Sequence, residues 1–247
     1  MNSITNQPKI QNARKITQIT FFGAIILIIF SFIAVTAAPD LIMNSVLPCL
    51  ILPAALGLTV YSVRLTNRWM RPPRPEDAIE DGLRAIGRRG IMYHYWKPAD
   101  HILVAPQGVF TLTAHYRAEP LTYDGEWQTK SGFRAQMNEL FKQEGVGDLF
   151  GKAQEEARAV QAIIDEIAPE VTVRPVVIFH DPNMKFKIVQ RPPVPVVYAE
   201  EKRKPSLITY VREVAREQER RGMEPQTLTD EQRQAFERAL GIPPQED

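Results

Sequence analysis

Two uncharged runs dominate the hydrophobic pattern of the chain. Residues 16–38 and 41–63 contain no Asp, Glu, Lys or Arg, and Asp40 is the only charge between them. Each run exceeds the roughly 20 residues that a helix needs to cross a bilayer. The first, ITFFGAIILIIFSFIAV, is apolar on all sides. The second, VLPCLILPAALGLTVYSV, contains Pro48 and Pro53, which membrane helices tolerate better than soluble ones. Lys9, Arg14, Lys15 and the small-residue stretch VTAA also fit a cleaved leader. The first run is longer than a leader's apolar core, however, and a second span follows at once, so the pattern predicts a two-helix transmembrane hairpin. Basic residues flank both outer ends: Lys9, Arg14 and Lys15 before the first span, Arg64, Arg68, Arg71 and Arg74 after the second. The positive-inside rule then predicts both termini in the cytoplasm, with Tyr61 and Trp69 near the inner interface.

Beyond Val63 the pattern breaks into short periodic segments. RPPRPED, Arg71–Asp77, reads as a stiff extended linker. Glu76–Gly87 predicts an amphipathic helix with Ile79, Leu83 and Ile86 on one face and Gly87 as its C-cap. GIMYHYW predicts an aromatic strand. DHILVAPQGVFTLTAHYR, Asp100–Arg117, predicts a hairpin about Pro106-Gln107-Gly108. Its first arm, Ile102-Leu103-Val104, is the unbroken apolar run of a strand buried on both faces. Its second arm is Val109–His115. PLTYDGEWQTK predicts a further strand with a turn at Asp124-Gly125.

After a loop holding Gly145 and Gly147, Phe150, Ala153, Ala157, Val160, Ile164 and Ile167 form one buried stripe of a long helix. VTVRPVVIF predicts a strand in which Pro175 marks an edge or a bulge. KFKIV and VPVVYA predict short strands. Leu207, Tyr210, Val211 and Val214 mark another amphipathic helix, ending near Gly222. Thr229 and Gln232 form the capping box of a last one. Helix, strands, long helix, then strands again is the order of an α/β sandwich, with a mixed sheet flanked by helices.

Composition narrows the chemistry. The 247 residues carry 30 basic and 29 acidic side chains; three of the former and one of the latter precede Arg64, leaving 27 against 28. That balance gives weak support to nucleic acid as a partner, which normally meets a basic excess. Local basic residues at Arg84, Arg88 and Arg89 are placed to meet the membrane as readily. The single cysteine, Cys49, falls inside the second apolar run, so no intrachain disulfide forms, and it reads as a small buried side chain. There is no Walker loop, dinucleotide fingerprint, cysteine pair or serine elbow. His94, His101 and His180 show no metal-ligand spacing.

ADHILVAPQGVFTLTAHY, KAQEEARAVQAIIDEI, VTVRPVVIFHDPN and PPVPVVYAEE, in that order over about residues 75–215, resemble the nuclease-related domain (NERD) family of the PD-(D/E)xK nuclease superfamily. The resemblance implies a restriction-endonuclease-like mixed sheet. It also implies a site in which two strand-borne acids hold a divalent metal that acidifies bound water. A lysine two residues after the second acid shares its face, because strand side chains alternate. Asp100 matches the first acid and His101 its neighbour. Thr113 stands where the second acid belongs and His115 where the lysine belongs. Glu76 falls where the family's first helix often has glutamate, and Lys152 where its long helix often has glutamine.

Asp100 with a threonine hydroxyl makes a poor cradle for Mg²⁺. Asp100 with His115 is the candidate metal pair, better suited to Mn²⁺ or Zn²⁺. Glu76 is available as a migrated acid and Lys152 as a replacement cation. The plainer alternatives are that Asp100 caps its strand and His115 is a half-exposed strand-end residue.

The expected organisation is a cytoplasmic tail (1–15), a transmembrane hairpin (16–63), a basic Pro-rich linker (64–75), a NERD-like α/β domain (76–200) and charged C-terminal helices (201–247). The expected function is that of a catalytically inactive binding or scaffold module on the cytoplasmic membrane face, without a cofactor and in contact with membrane lipids. One alternative is a nuclease dependent on Mg²⁺ or Mn²⁺ that uses Asp100 with a migrated acid. Another is an accessory subunit that meets a protein partner in the membrane through small residues such as Gly23, Ala24, Ala54, Ala55 and Gly57.

Overall fold

The computed structural model describes residues 1–37, 41–117, 119–129, 147–224 and 226–244. Asp40 and Gly145 lie outside the described residues, as does the side chain of Arg88. The chain divides into two compact units. One comprises Met1–Asn6, Pro73–Lys130 and Val146–Asp247, and the other centres on Gln7–Pro72.

The second unit, among its described residues, is a pair of helices, α1 (Gln7–Ala37) and α2 (Leu41–Trp69). Both are long and apolar enough to cross a membrane. α1 starts well before residue 16, because nothing between Gln7 and Lys15 breaks a helix once Pro8 is accommodated in the first turn. α2 continues through both proline positions. The helices pack along their length, with Ala24 and Ala55 buried and Gly23 against the side chain of Leu58. Phe22, Ile26 and Phe32 are exposed, as lipid-facing side chains would be. Ala54, Gly57 and Cys49 also lie on the outside. Cys49 is therefore not the buried residue expected, because among the described residues no helix packs on its side of α2.

The first unit is a mixed α/β fold. Its six-stranded sheet has the order β1-β2-β3-β4-β7-β9, built from Asn2–Thr5, Ile91–His94, His101–Ala105, Gly108–His115, Val173–Phe179 and Val196–Tyr198. β2, β3 and β4 are an antiparallel meander, while β1 pairs parallel with β2, and β7 parallel with both β4 and β9. A three-stranded sheet, β6-β5-β8, holds Trp127–Thr129, Leu121–Tyr123 and Phe186–Ile188.

Helices cover both faces of the large sheet. On one, α3 (Pro75–Gly82) with its C-cap Leu83, and α5 (Leu207–Arg220), bury Ile79, Leu83, Leu207 and Val211 against Phe110, Leu112 and Val176. On the other, α4 (Leu149–Ile167) and α6 (Asp230–Ala239) bury Val160, Ile164 and Phe236 against Tyr93, Ile102 and Val109.

Two sequence expectations change. Residues 1–15 are not a tail, because Asn2–Thr5 takes the open edge of β2, and Asn2 and Asn6 donate backbone hydrogen bonds to Gly90 and His94. The helix expected to reach Gly87 ends at Gly82, which lies so close to β9 that a Cβ there would meet the Ala199 carbonyl oxygen at 1.8 Å. A 3₁₀ stretch, Arg84–Arg89, follows, and Gly87 turns it with φ +69°. The sequence left the placement of the C-terminal helices open; α5 and α6 each supply a side of the core.

Pro175 occupies an edge position, one of the two alternatives expected, and no bulge interrupts the β4–β7 register. β9 flanks only Val177–Phe179 of β7. The Val177 N–H points to that side, donating to Pro195, so the missing N–H of Pro175, two residues earlier, falls where no strand waits.

Candidate functional site

Strand alternation sets Val109, Thr111, Thr113 and His115 on the α4 face of β4, and Phe110 and Leu112 on the other. The β3–β4 register pairs Ile102 with Thr111. Continued by two residues, it brings Asp100 level with Thr113. Above them runs α4, its first turn fixed by the Asp148 side chain accepting from the Gly151 N–H. The apolar stripe of α4 is broken by one acid, Glu156, which follows Ala153 by three residues and precedes Val160 by four.

Thr113 Oγ1 donates a hydrogen bond to Glu156 Oε2 at 2.7 Å. Lys152, one turn back, holds its Nζ 3.7 Å from Glu156 Oε1. The Glu156 side chain is 11 % exposed and that of Lys152 48 %, so the ammonium approaches a mostly buried carboxylate from the solvent side. Burial pushes the Glu156 carboxyl above the usual carboxylate range, and the negative charge of Asp100 acts the same way. The Thr113 hydroxyl and the Lys152 ammonium pull in the opposite direction. Like charges sharing one site are thus partly relieved by a hydroxyl and a cation.

Of the residues singled out from sequence, Thr113 and Lys152 meet on Glu156, and Asp100 is felt there electrostatically. Glu76 goes elsewhere. It accepts a hydrogen bond from the Tyr95 hydroxyl at 2.7 Å, on α3, from a tyrosine held at φ +65°. His115 is buried rather than half-exposed, and its ring meets Phe179 edge-on at 5.6 Å. Arg84 is paired with Asp81 at 2.7 Å.

Asp100, Glu156 and the Thr113 hydroxyl are hard oxygen donors. They suit Mg²⁺ or Mn²⁺, which take one or two carboxylates and complete their shell with water or substrate oxygens. Among the described residues, no group of three or more His, Cys, Asp or Glu side chains is arranged to hold a metal.

A second polar group lies near the β2–β3 turn. His94 Nδ1 and His101 Nδ1 are 2.8 Å apart, one donating and the other accepting, and His94 Nε2 is 3.1 Å from Glu80 Oε1. The hydrogen bond to His94 holds the Glu80 carboxyl below the usual range. Sequence spacing hid this pair, because the two histidines are cross-strand partners in the register. Past the C-terminal ends of β7 and β9 a cleft of about 560 Å³ opens, lined among others by Asp81, His180, Asp181, Lys202 and Arg203. Arg203 lies 3.8 Å from the Tyr198 ring centre and donates to the carbonyls of Asp181 and Pro182.

Comparison with protein-family models, curated proteins and solved structures returned no match.

Proposed function

We propose that the chain is a membrane-anchored, NERD-like domain that binds a ligand at the cytoplasmic membrane face and does not cleave nucleic acid. The observation that carries this reading is the state of β4. At the position where a nuclease strand would supply its second acid, Thr113 is engaged as a donor to Glu156. At the position of the lysine, His115 is packed on Phe179. The order of a helix, a three-stranded meander, a crossover helix and a strand parallel to the third supports a restriction-endonuclease-like core. The cleft at the ends of parallel strands is of the size that small ligands fill. The N-terminal strand supports the topology: β1 is part of the domain's sheet, so a chain that crosses the membrane between them must cross an even number of times. The basic flanks favour the cytoplasm for that side.

A second reading has its own observation. Glu156 sits with Thr113, facing the position of Asp100, and is the migrated acid that a metal-dependent nuclease would need. In that case Asp100, Glu156 and Thr113 would hold the ion, which would acidify water and neutralise phosphate charge. Lys152 would stand in for the lost lysine.

Incubating the full chain in detergent with labelled DNA and RNA, in Mg²⁺ or Mn²⁺, separates the two. The binding reading predicts intact substrate. Cleavage that disappears in both Asp100→Ala and Glu156→Ala would replace it with the second.

A further inference from the structure

β7 and β9 pair in parallel and end side by side at Phe179 and Tyr198. The residues that follow them, 180–182 and 199–203, line the cleft of about 560 Å³. Ligands of α/β sheets sit past the carboxyl ends of parallel strands, as this cleft does. Asp181 is only 2 % exposed, and a carboxylate so placed is costly unless its oxygens are hydrogen-bonded. Its Oδ1 accepts from the Asn183 N–H at 2.7 Å, while its Oδ2 has no partner among the described residues. Arg203 is the half-buried cation of the same cleft. Its guanidinium lies 3.8 Å from the centre of the Tyr198 ring, and Nη1 donates to the carbonyls of Asp181 and Pro182, each at 3.1 Å. Those bonds use both Nη1 hydrogens. Nε and Nη2 keep three more, with no acceptor among the described residues.

Opposite charges in one cleft ordinarily pair with each other. Asp181 and Arg203 do not, because each is tied to backbone or ring instead, and the ties hold both groups ready for something else. Arg203 bonds the carbonyl of the very residue that carries the carboxylate, so the two charges stand within about one side chain of each other. Other charges at the cleft contribute less. Asp81 and Arg84 neutralise each other at 2.7 Å, and Glu200, Glu201 and Lys202 are exposed to solvent, which screens them. We infer that the cleft binds a small zwitterion, whose ammonium meets Asp181 and whose carboxylate or phosphate meets Arg203. Phe179, Ala78 and Pro182 give the rest of the molecule an apolar wall. A free α-amino acid and the phosphoethanolamine headgroup of a lipid share this chemistry. Such a zwitterion is the ligand of the binding domain proposed above, and its assignment rests on that reading.

The test is calorimetric titration of the full chain in detergent with L-leucine and with phosphoethanolamine. At least one should bind, leucine alone marking the amino acid and phosphoethanolamine alone the headgroup. The halves of each zwitterion are isopentylamine and 4-methylpentanoate for the first, ethanolamine and ethyl phosphate for the second. Each half should bind at least about tenfold more weakly than its whole, since it forgoes one charge-assisted hydrogen bond. Asp181→Asn keeps an oxygen for the Asn183 N–H but loses the charge, and Arg203→Gln removes the guanidinium. Each should weaken the zwitterion by a similar factor. The half-ligands need no variant, so the test stands if either substitution unfolds the chain. Binding of neither zwitterion would overturn the inference and leave the absence of cleavage, read with DNA and RNA, as it was. A half that binds as tightly as its whole, or a folded Asp181→Asn with the parent's affinity, would overturn it as well.

Discussion

Thr113 has the most to explain for its size. Its hydroxyl is the nearest donor to a mostly buried carboxylate, so Thr113→Val should leave Glu156 under-solvated and cost about 1–3 kcal/mol, read by denaturant unfolding. An unchanged midpoint would show that the bond contributes nothing. The pH dependence has a definite sign. A carboxyl raised in the folded chain contributes stability that is full below the ordinary glutamate range and is lost as pH rises through its elevated value. Glu156→Gln should therefore gain on the parent as pH rises above the ordinary glutamate range. Glu80 has the opposite sign, its contribution being present above the ordinary range and lost as pH falls through its lowered value. Of Asp100, Thr113, His115, Lys152 and Glu76, singled out together from the sequence, Thr113 and Lys152 meet on Glu156, whereas Glu76 bonds Tyr95 and His115 packs on Phe179. Glu156 was not singled out, although a lone acid within the apolar stripe of α4 was the available signal.

The elements followed their periodicity wherever it was long. α4, the β3–β4 hairpin and the capped start of α6 lie where the pattern predicts, because a buried stripe, alternating faces and a Thr229–Gln232 box are local properties. β1 was invisible for the opposite reason: four residues acquire an identity only when the β2 edge, far along the chain, is there to receive them. Phe110, fully buried between α3 and α5, should cost about 3–5 kcal/mol on truncation to Ala. A loss under about 1 kcal/mol would mean that β4 presents the other face. In β1, the donors at Asn2 and Asn6 imply that the Ile4 N–H also faces β2. Ile4→Pro should then speed amide exchange at Met92–His94, and unchanged exchange would separate β1 from the sheet in solution.

Across the whole molecule, two long apolar helices lie in sequence between the first six residues and the rest of the α/β unit to which those residues belong. With Cys49 replaced by Ala, an impermeant thiol reagent applied from outside should label a cysteine at position 40 and miss one at position 74. The reverse pattern would invert the orientation. The two long apolar helices were legible because uncharged runs of that length admit few alternatives, whereas the cleft past β7 and β9 was not, since a pocket of mixed charge has no sequence signature. We propose that the α4 face of β4, beside Asp100, is a metal cradle stripped of its acid and lysine. The most direct measurement is a calorimetric Mn²⁺ titration of the full chain against its Thr113→Glu, His115→Lys variant. Restoring the acid-x-lysine strand on that face should tighten Mn²⁺ binding by roughly tenfold or more. Equal affinity in the two proteins would contradict the account, because Asp100 and position 113 would then not face one ion.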